Sequence, residues 1–197
     1  MVMKLAVIDY GMGNIKSVWN AFKYLGVEPT IVRSPSKLNA ERIVLPGVGS
    51  FGNGMKNLRP FVPKILEALR SGTPFLGICL GLHILFEGSE ESPGVKGLGL
   101  IKGRVVRMPT RLKLPHMGWN SLKIEKECPL FEGLNDAYVY FVHSYHAEPE
   151  EDVVAATTQY GCRVTAAVWK GNMYGTQFHP EKSGKVGLKM LENFLKL

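Results

Sequence analysis

The residue best placed to do chemistry is Cys79, in the middle of the run Gly77-Ile78-Cys79-Leu80-Gly81. Two glycines placed two residues before and after a nucleophile are typical of a nucleophile elbow, a sharp turn from a strand into a helix. The small residues let the backbone turn tightly, and the helix that follows presents free N–H groups that favour a thiolate. A buried, inert cysteine is the alternative, because free cysteine packs as a small apolar side chain. The glycines favour the elbow, since they weaken the interior of a strand or helix.

A cysteine nucleophile needs a histidine beside it, and the chain has five histidines. His179 is the best candidate because it follows a predicted strand and because Glu181 lies two residues further on. In an extended chain these two side chains point the same way, so the carboxylate can fix one ring nitrogen and leave the other for the thiol. An exposed loop histidine is the alternative. The sequence pattern alone does not bring residue 179 next to residue 79.

Two glycine-rich loops follow predicted strands. The loop Pro46-Gly47-Val48-Gly49 lies where open α/β sheets bind ligands, at the carboxyl end of a strand. We expect an oxyanion hole from the N–H groups of Gly49 and of Leu80, the residue after the nucleophile. A simple strand-to-helix turn is the alternative. The loop at residues 11–14 lacks the third glycine of a dinucleotide fingerprint, because Lys16 stands in its place.

Length and composition predict one globular domain over residues 1–197, with 45% hydrophobic residues. The longest apolar run, residues 73–86, is too short to cross a bilayer, and the N-terminus lacks the pattern of a signal peptide. The three cysteines have no close spacing, which argues against a disulfide framework and a metal site and for a cytoplasmic location. The net charge of +7 permits an anionic partner, but no nucleic-acid-binding motif accompanies it. We therefore expect no nucleic-acid and no membrane partner.

The elements that must position these residues differ between the two halves of the chain. The first half predicts strands at residues 4–9, 29–32, 42–45 and 74–76, and helices at 14–25, in the second half of 51–70, and from residue 80 to 87. This alternation predicts an α/β fold with an open, mostly parallel twisted sheet flanked by helices, of the flavodoxin-like type. The second half predicts antiparallel hairpins added to that sheet, with strands at 103–108, 121–124, 137–142, 153–158, 164–168 and 173–178. An amphipathic helix at 185–197 closes the chain.

Together the cysteine elbow and the segment Phe178-His179-Pro180-Glu181 resemble the class I, or triad, glutamine amidotransferases in order, spacing and element context. The resemblance runs along the whole chain. It is closest to the glutaminase subunits of imidazole glycerol phosphate synthases in histidine biosynthesis, through the segments Asp9-Tyr-Gly-Met-Gly-Asn14, Leu45-Pro-Gly-Val-Gly49, Leu114-Pro-His-Met-Gly-Trp-Asn120 and Tyr140-Phe-Val-His-Ser-Tyr145.

This resemblance implies that Cys79 attacks the side-chain amide of L-glutamine, that His179 transfers protons and that Glu181 orients it. The resulting thioester is hydrolysed to glutamate, and the ammonia is channelled to a (β/α)8-barrel cyclase subunit of a heterodimer. That partner makes imidazole glycerol phosphate and aminoimidazole carboxamide ribotide (AICAR). No cofactor and no metal ion is implied.

The resemblance also implies the other site residues. A glutamine pocket is expected at Gly47, Val48, His83, His143, Ser144 and Tyr145. Positions facing the partner are expected at Asn14, Trp119, Tyr140 and Lys182. In the resting state the Pro-Gly-Val-Gly loop is expected not to present its donor N–H, since a peptide between two glycines turns at low cost.

His83 departs from the family pattern, which has a substrate-contacting glutamine at this position. Because histidine titrates, we expect glutamine binding to weaken as the pH falls through the pKa of His83. Three other interpretations stay open. They are an amidotransferase subunit of the pyridoxal phosphate, anthranilate or purine pathway, a non-catalytic α/β binding module with an inert Cys79, and a cysteine peptidase on a similar scaffold.

Overall fold

The computed structural model describes residues 3–135 and 137–197. Its strands are β1 Leu5–Ile8, β2 Thr30–Val32, β3 Arg42–Gly47, β4 Phe75–Cys79, β5 Gly103–Arg107, β6 His116–Ser121, β7 Lys123–Ile124, β8 Tyr138–His143, β9 Tyr145–Pro149, β10 Val154–Gln159, β11 Arg163–Lys170 and β12 Met173–Thr176. Its helices are α1 Ile15–Tyr24, α2 Phe51–Leu58, α3 Val62–Arg70, α4 Leu80–His83 and α5 Gly184–Leu195.

An eight-stranded sheet in the order β2-β1-β3-β4-β12-β11-β10-β7 forms the centre of the molecule. The first five strands in this order, β2, β1, β3, β4 and β12, run parallel. Strands β11, β10 and β7 continue the sheet in antiparallel pairing. The prediction of an open, mostly parallel sheet is thus confirmed. The carboxyl ends of β3, β4 and β12 lie side by side, and each of these strands leads directly into a segment expected to carry chemistry.

The antiparallel additions are only partly as predicted. The β10–β11 and β11–β12 hairpins do extend the central sheet. The pairs β5–β9 and β6–β8 form two separate two-stranded ladders, so the expectation that all hairpins join the sheet is wrong. Strands β6 and β9 were not predicted, because Gly118 and several polar residues in β6 have low strand propensity.

Apolar residues pack on both faces of the central sheet, because successive side chains of a strand point to opposite faces. In β1, Leu5 and Val7 join the core beneath α1 and α5, which contribute Phe22 and Phe194. Ala6 and Ile8 of the same strand join the core on the opposite face, with residues of α2 and α3. The prediction of helices on both faces is therefore confirmed.

Two predicted helices have different bounds in the structure. The segment 51–70 is helical almost from its start, as α2, a 3-10 turn at Arg59–Phe61 and α3. Pro60 and Pro63 lie in the first turns of their helical segments, where no N–H donor is needed. The helix expected from residue 80 to 87 ends at His83, and turns follow it. Within the described ranges, no helix is both long and apolar enough to span a membrane.

Candidate active site

Cys79 lies at a sharp turn between the end of β4 and the start of α4. Its backbone has φ 55° and ψ −105°. Among the described residues it is the only non-glycine residue with a positive φ. For a residue with a side chain, this backbone conformation costs about 1–3 kcal/mol and persists only where the surrounding structure enforces it. The turn therefore has the geometry of the predicted nucleophile elbow.

The two glycines of the elbow are required by close backbone contacts. A Cβ atom on Gly77 would lie 2.4 Å from the carbonyl oxygen of Gly81. A Cβ atom on Gly81 would lie 2.0 Å from the carbonyl oxygen of Leu45 in β3. Both distances are too short for any side chain, so this spacing of glycines allows the strand, the turn and the neighbouring strand to pack together.

The strand order brings His179 to the elbow. Strand β12 pairs in parallel with β4, with Thr176 opposite Ile78, so His179 emerges at the same sheet edge as Cys79. The Nδ1 atom of His179 lies 2.8 Å from Oε1 of Glu181, and the two side chains are 2% and 1% exposed. His179 is extended and Glu181 lies within the 3-10 turn Pro180–Lys182, yet the pairing expected from the sequence is present.

The charge state of His179 follows from its neighbours. Burial lowers its pKa, but the neighbouring Cys79 and Glu181 side chains outweigh burial and raise the pKa to about 10. Within the described part of the chain, Nε2 of His179 has no hydrogen-bond partner. With Nδ1 held by the carboxylate, Nε2 is left for the thiol. The arrangement can hold an imidazolium beside the sulfur and transfer its proton to a leaving group.

The Pro46–Gly49 loop lies against the elbow because Gly47, the last residue of β3, pairs with Cys79. A Cβ atom on Gly47 would lie 2.4 Å from the hydroxyl of Tyr10 and 2.8 Å from Cβ of Leu80, so this position lies beneath the loop surface. Gly49 has φ +107°, a conformation that favours glycine. The loop therefore approaches the nucleophile through its backbone, as an oxyanion hole requires.

A cavity of about 220 Å³ opens above the thiol. Its lining contains most of the residues predicted for the pocket and the oxyanion hole, together with Glu91 and Val142: Val48, Gly49, Cys79, Leu80, His83, Glu91, Val142, His143, Ser144 and Tyr145. His179, Glu181 and Gly47 lie behind this surface and do not line it. A larger cavity of about 670 Å³ at residues 124–134 contains none of the predicted site residues, so size does not identify the site.

Glu91 is the polar cavity residue that the sequence analysis missed. Its Oε2 atom accepts a hydrogen bond of 2.7 Å from the backbone N–H of Phe51, the first residue of α2. Glu91 stands in a loop beside two other glutamates, Glu87 and Glu90, and no local pattern distinguishes it from them. Only the fold shows that its carboxylate reaches the cavity.

His83 lines the cavity, and its pKa lies below the ordinary range of histidine. Its Nε2 atom lies 2.7 Å from Oε1 of Gln177. Burial lowers its pKa to about 4, although the hydrogen bond to Gln177 acts in the opposite direction. The expected weakening of glutamine binding on protonation of His83 is therefore placed near pH 4 and stays a prediction.

His143 is part of a hydrogen-bonded pair of buried histidines. Its Nδ1 atom lies 2.9 Å from the carbonyl oxygen of Tyr145, and its Nε2 atom lies 3.1 Å from Nδ1 of His116. Burial lowers the pKa of His143 to about 3 and that of His116 to about 4. Both rings are thus neutral and fix the wall of the cavity at Ser144.

Three of the residues expected to face a partner, Trp119, Tyr140 and Lys182, lie together on a surface beside this cavity, which we call the β6–β8 face. The exposed side chains on it include Trp119, which is 57% exposed. Tyr140 meets Trp119 edge to face at 6.3 Å between ring centroids, and Nζ of Lys182 lies 5.9 Å from the centroid of Tyr140. Asn14 caps α1, which packs near the turn that carries Lys182.

The sequence analysis missed two further apolar residues of the β6–β8 face. Met117 and Tyr138 are 62% and 59% exposed. Met117 pairs with Val142, which also lines the cavity, so the apolar surface reaches the cavity mouth.

In the described residues, His, Cys, Asp and Glu side chains form no group of three or more that could hold a metal ion.

The chain matches the family model described as glutamine amidotransferase class-I over residues 6–197. The chain is 50% identical over 194 residues to the imidazole glycerol phosphate synthase subunit HisH of Methanocaldococcus jannaschii, covering 98% of this chain and 99% of that one. It is 53% identical over 200 residues to the same-named subunit of Thermococcus kodakarensis, covering 98% and 100%. The solved structure of PurLQS from Thermotoga maritima is similar in fold, with a TM-score of 0.80 at 25% identity over 100% of this chain and 99% of that chain.

Proposed function

Because the chain belongs to the class I glutamine amidotransferase family, we propose that Cys79, His179 and Glu181 are the triad with which it hydrolyses glutamine. The chain is the glutaminase subunit of an imidazole glycerol phosphate synthase, since it belongs to the amidotransferase family and its relatives are named as the HisH subunit of that synthase. The observation that carries the triad is the strained Cys79 at the elbow, beside the buried His179–Glu181 pair. We propose that residues 1–197 act as one glutaminase domain.

In the first half of the proposed reaction, the sulfur of Cys79 attacks the side-chain amide carbon of glutamine. The carbonyl π electrons move to oxygen and form a tetrahedral oxyanion. His179 then gives its Nε2 proton to the amide nitrogen, the C–N bond breaks, and ammonia leaves a γ-glutamyl thioester. The raised pKa of His179 suits this step, because the ring enters the reaction with the proton in place.

In the second half, neutral His179 takes a proton from water, and the oxygen attacks the thioester carbon. The C–S bond breaks, glutamate leaves, and the imidazolium and sulfur anion are restored. Glu181 holds Nδ1 through both halves at 2.8 Å, which fixes the ring orientation and stabilises its positive charge. The net change is glutamine and water to glutamate and ammonia, with no cofactor.

The oxyanion would be stabilised by two backbone N–H groups, from Leu80 and Gly49. Leu80 is fixed at the start of α4, whereas Gly49 belongs to a loop whose Val48 side chain is 41% exposed. Rotation of the Val48–Gly49 peptide would turn the Gly49 donor toward or away from the oxyanion. We propose that the resting enzyme keeps this donor turned away.

The cavity would hold glutamine between the loop, α4 and the strand end at β8. Its wall residues Val48, His83, His143, Ser144 and Tyr145 would surround the main-chain and side-chain groups of the substrate. Glu91 adds the carboxylate that an α-ammonium group requires, and its position is fixed by the backbone of Phe51. Gly47 would contribute by leaving room for the elbow.

The relatives are named as synthase subunits, which implies a partner subunit for this chain as well. We propose that this partner is the (β/α)8-barrel cyclase and that it covers the β6–β8 face, with Asn14, Trp119, Tyr140 and Lys182 at the contact. An exposed apolar surface that reaches the cavity through Met117 and Val142 suits an interface that takes ammonia directly, without release to water. The complex would work in the cytoplasm.

The test is glutamate release by the chain mixed with a barrel cyclase of this kind, with and without the ribonucleotide substrate of the cyclase. We expect turnover that depends on Cys79 and is stimulated by the ribonucleotide. Cys79→Ala should abolish it, whereas the matched change Cys162→Ala, at a half-buried cysteine away from the cavity, should leave it unchanged. Turnover that survives Cys79→Ala would contradict the triad, and activity on peptides would favour the peptidase interpretation.

A further inference from the structure

Gln177 is a fully buried amide that lies between two residues of the site and has no place in the mechanism above. It follows β12 and precedes His179 by two residues, so the alternation of an extended chain sends both side chains toward the elbow. Phe178 between them points into the apolar core. The backbone N–H of Gln177 donates to the carbonyl oxygen of Ala166 at 2.8 Å, which anchors the segment to β11.

Both ends of the Gln177 amide have partners in the site. Its Oε1 atom accepts a hydrogen bond from Nε2 of His83 at 2.7 Å. Its Nε2 atom donates to the sulfur of Cys79 at 3.8 Å, within the range of a hydrogen bond to sulfur. A continuous path of side chains thus joins a cavity histidine to the nucleophile.

The sulfur determines which end of the amide faces it, because a sulfur anion accepts hydrogen bonds and repels a carbonyl oxygen. A neutral imidazole has one N–H group, and a carbonyl oxygen can only accept, so His83 must carry its proton on Nε2. The low pKa of His83 keeps the ring in that neutral form. If the amide were reversed, its oxygen would face the sulfur, although the other neutral tautomer of His83, protonated on Nδ1, could accept from its NH2 group. The contact with the sulfur therefore excludes the reversed amide, and the Nε2–H tautomer of His83 then holds the amide in the donating orientation.

We propose that Gln177 is a positioning residue for the nucleophile, held by His83 in the one orientation that donates an N–H group to the sulfur of Cys79. This inference rests on the proposed function, in which that sulfur attacks as an anion. A buried anion needs hydrogen-bond donors, and the N–H of Gln177 stabilises the charged sulfur more than the neutral thiol. The contact also fixes the side-chain rotamer of Cys79 at its strained turn.

The proposal explains how histidine fits at position 83. The resemblance to the amidotransferases places a glutamine there, and a glutamine side chain also offers an N–H group. Either residue can donate to Oε1 of Gln177, whereas an aliphatic residue cannot. The function required of position 83 is therefore a donor toward Gln177, in addition to its place in the cavity wall.

The first test is Gln177→Met, which keeps the length and neutrality of the side chain and removes both hydrogen bonds. The readout is the rate at which iodoacetamide alkylates Cys79 in the isolated chain, followed by peptide mass spectrometry. The rate is measured at a pH on the rising part of the wild-type pH–rate profile, where it follows the fraction of sulfur anion. We expect a rate about ten-fold lower, the effect of losing a hydrogen bond to a charged group. In the complex, kcat should fall by a similar factor with little change in KM. The matched control Gln159→Met, at an exposed glutamine, should leave both rates unchanged.

A second pair of variants keeps the test decisive if Gln177→Met does not fold. His83→Gln retains a donor to Oε1 and should alkylate at the wild-type rate, whereas His83→Leu frees the amide and should alkylate several-fold more slowly. Circular dichroism establishes that each variant is folded. Wild-type alkylation rates in folded Gln177→Met, or equal rates in the two His83 variants, would overturn the proposal.

The experiment also separates this inference from the proposed function. If the wild-type chain with its partner releases no glutamate while the variants still slow alkylation, the glutaminase assignment fails and the positioning of Cys79 by Gln177 stands. If the wild type releases glutamate and the variants leave alkylation unchanged, the glutaminase assignment stands and the inference fails.

Discussion

Acid should destabilise this protein well above the pH at which its carboxylates titrate, because it buries neutral histidines. Burial lowers the pKa of His83 and of His116 to about 4, from an unfolded value near 6.5. Between these values the unfolded chain binds protons that the native chain excludes, so stability falls as the pH falls from about 6.5 to 4. His143 shares a hydrogen bond with His116, and we count that pair once.

The size of the effect follows from the two pKa values. At pH 5 the solution lies about 1.5 pH units below the unfolded pKa, and each unit corresponds to about 1.36 kcal/mol per group. Each histidine therefore removes about 2 kcal/mol from the free energy of unfolding, and His83 and His116 together remove about 4 kcal/mol. That is a large part of the roughly 5–15 kcal/mol that stabilises a typical domain.

The raised pKa of His179 acts in the other direction and in another range. Its native pKa is about 10, so its contribution is complete below pH 6.5 and is lost as the pH rises toward 10. It does not offset the loss between pH 6.5 and 4. Maximum stability is therefore expected close to neutral pH.

The assay is urea unfolding at pH 7 and pH 5, followed by circular dichroism, with the slope against urea concentration checked to be equal at both pH values. His116→Phe is the matched variant, because His116 stacks between Phe141 and Tyr160 at 4.7 and 4.0 Å and a phenyl ring can take that place. It should remove about half of the pH dependence. A loss below about 1 kcal/mol between pH 7 and pH 5 would refute the assignment of buried neutral histidines.

Three further predictions concern the elbow, the triad and the β6–β8 face. Gly81→Ala should destabilise the fold by more than about 3 kcal/mol in urea unfolding, because its Cβ would lie 2.0 Å from a carbonyl oxygen. The control Gly94→Ala, in open space at φ +82°, should cost about 1–2 kcal/mol. Equal losses of stability in the two variants would contradict the close-contact argument. Glu181→Gln should lower kcat for glutamine at least about 100-fold with little change in KM, because His179 loses one of the two neighbours, Cys79 and Glu181, that raise its pKa. An unchanged kcat would remove Glu181 from the triad. Trp119→Ala should weaken cyclase binding by about 2 kcal/mol, roughly 30-fold, without lowering the melting temperature, as measured by titration calorimetry; unchanged affinity would place the interface elsewhere.

The geometry of the elbow could be predicted because it depends on local pattern. Backbone contacts require the two glycines beside Cys79, and the pairing of His179 with Glu181 forms within three residues of chain, although through a 3-10 turn and not through an extended chain. The strand positions of the first half could be predicted for the same reason, since short apolar runs mark buried parallel strands.

The pairing of residue 79 with residue 179 needs the strand order, in which β12 returns to lie beside β4. No local pattern contains that long-range pairing. The low pKa of His83 and the place of Glu91 also depend on what the fold packs around them. Strand β6 was not predicted because its residue types, which include Gly118, do not alternate between apolar and polar as in a half-buried strand. In the ladder with β8, the exposure of its residues does alternate.

The most direct test of the central claim is to trap the γ-glutamyl thioester. The chain with its cyclase partner and ribonucleotide would be mixed with glutamine, quenched in acid within one turnover, digested and mapped by mass spectrometry. We predict a glutamyl adduct on the peptide that contains Cys79 and none on those that contain Cys128 or Cys162. Glutamate formed without an adduct on Cys79, or with an adduct on another cysteine, would contradict the account.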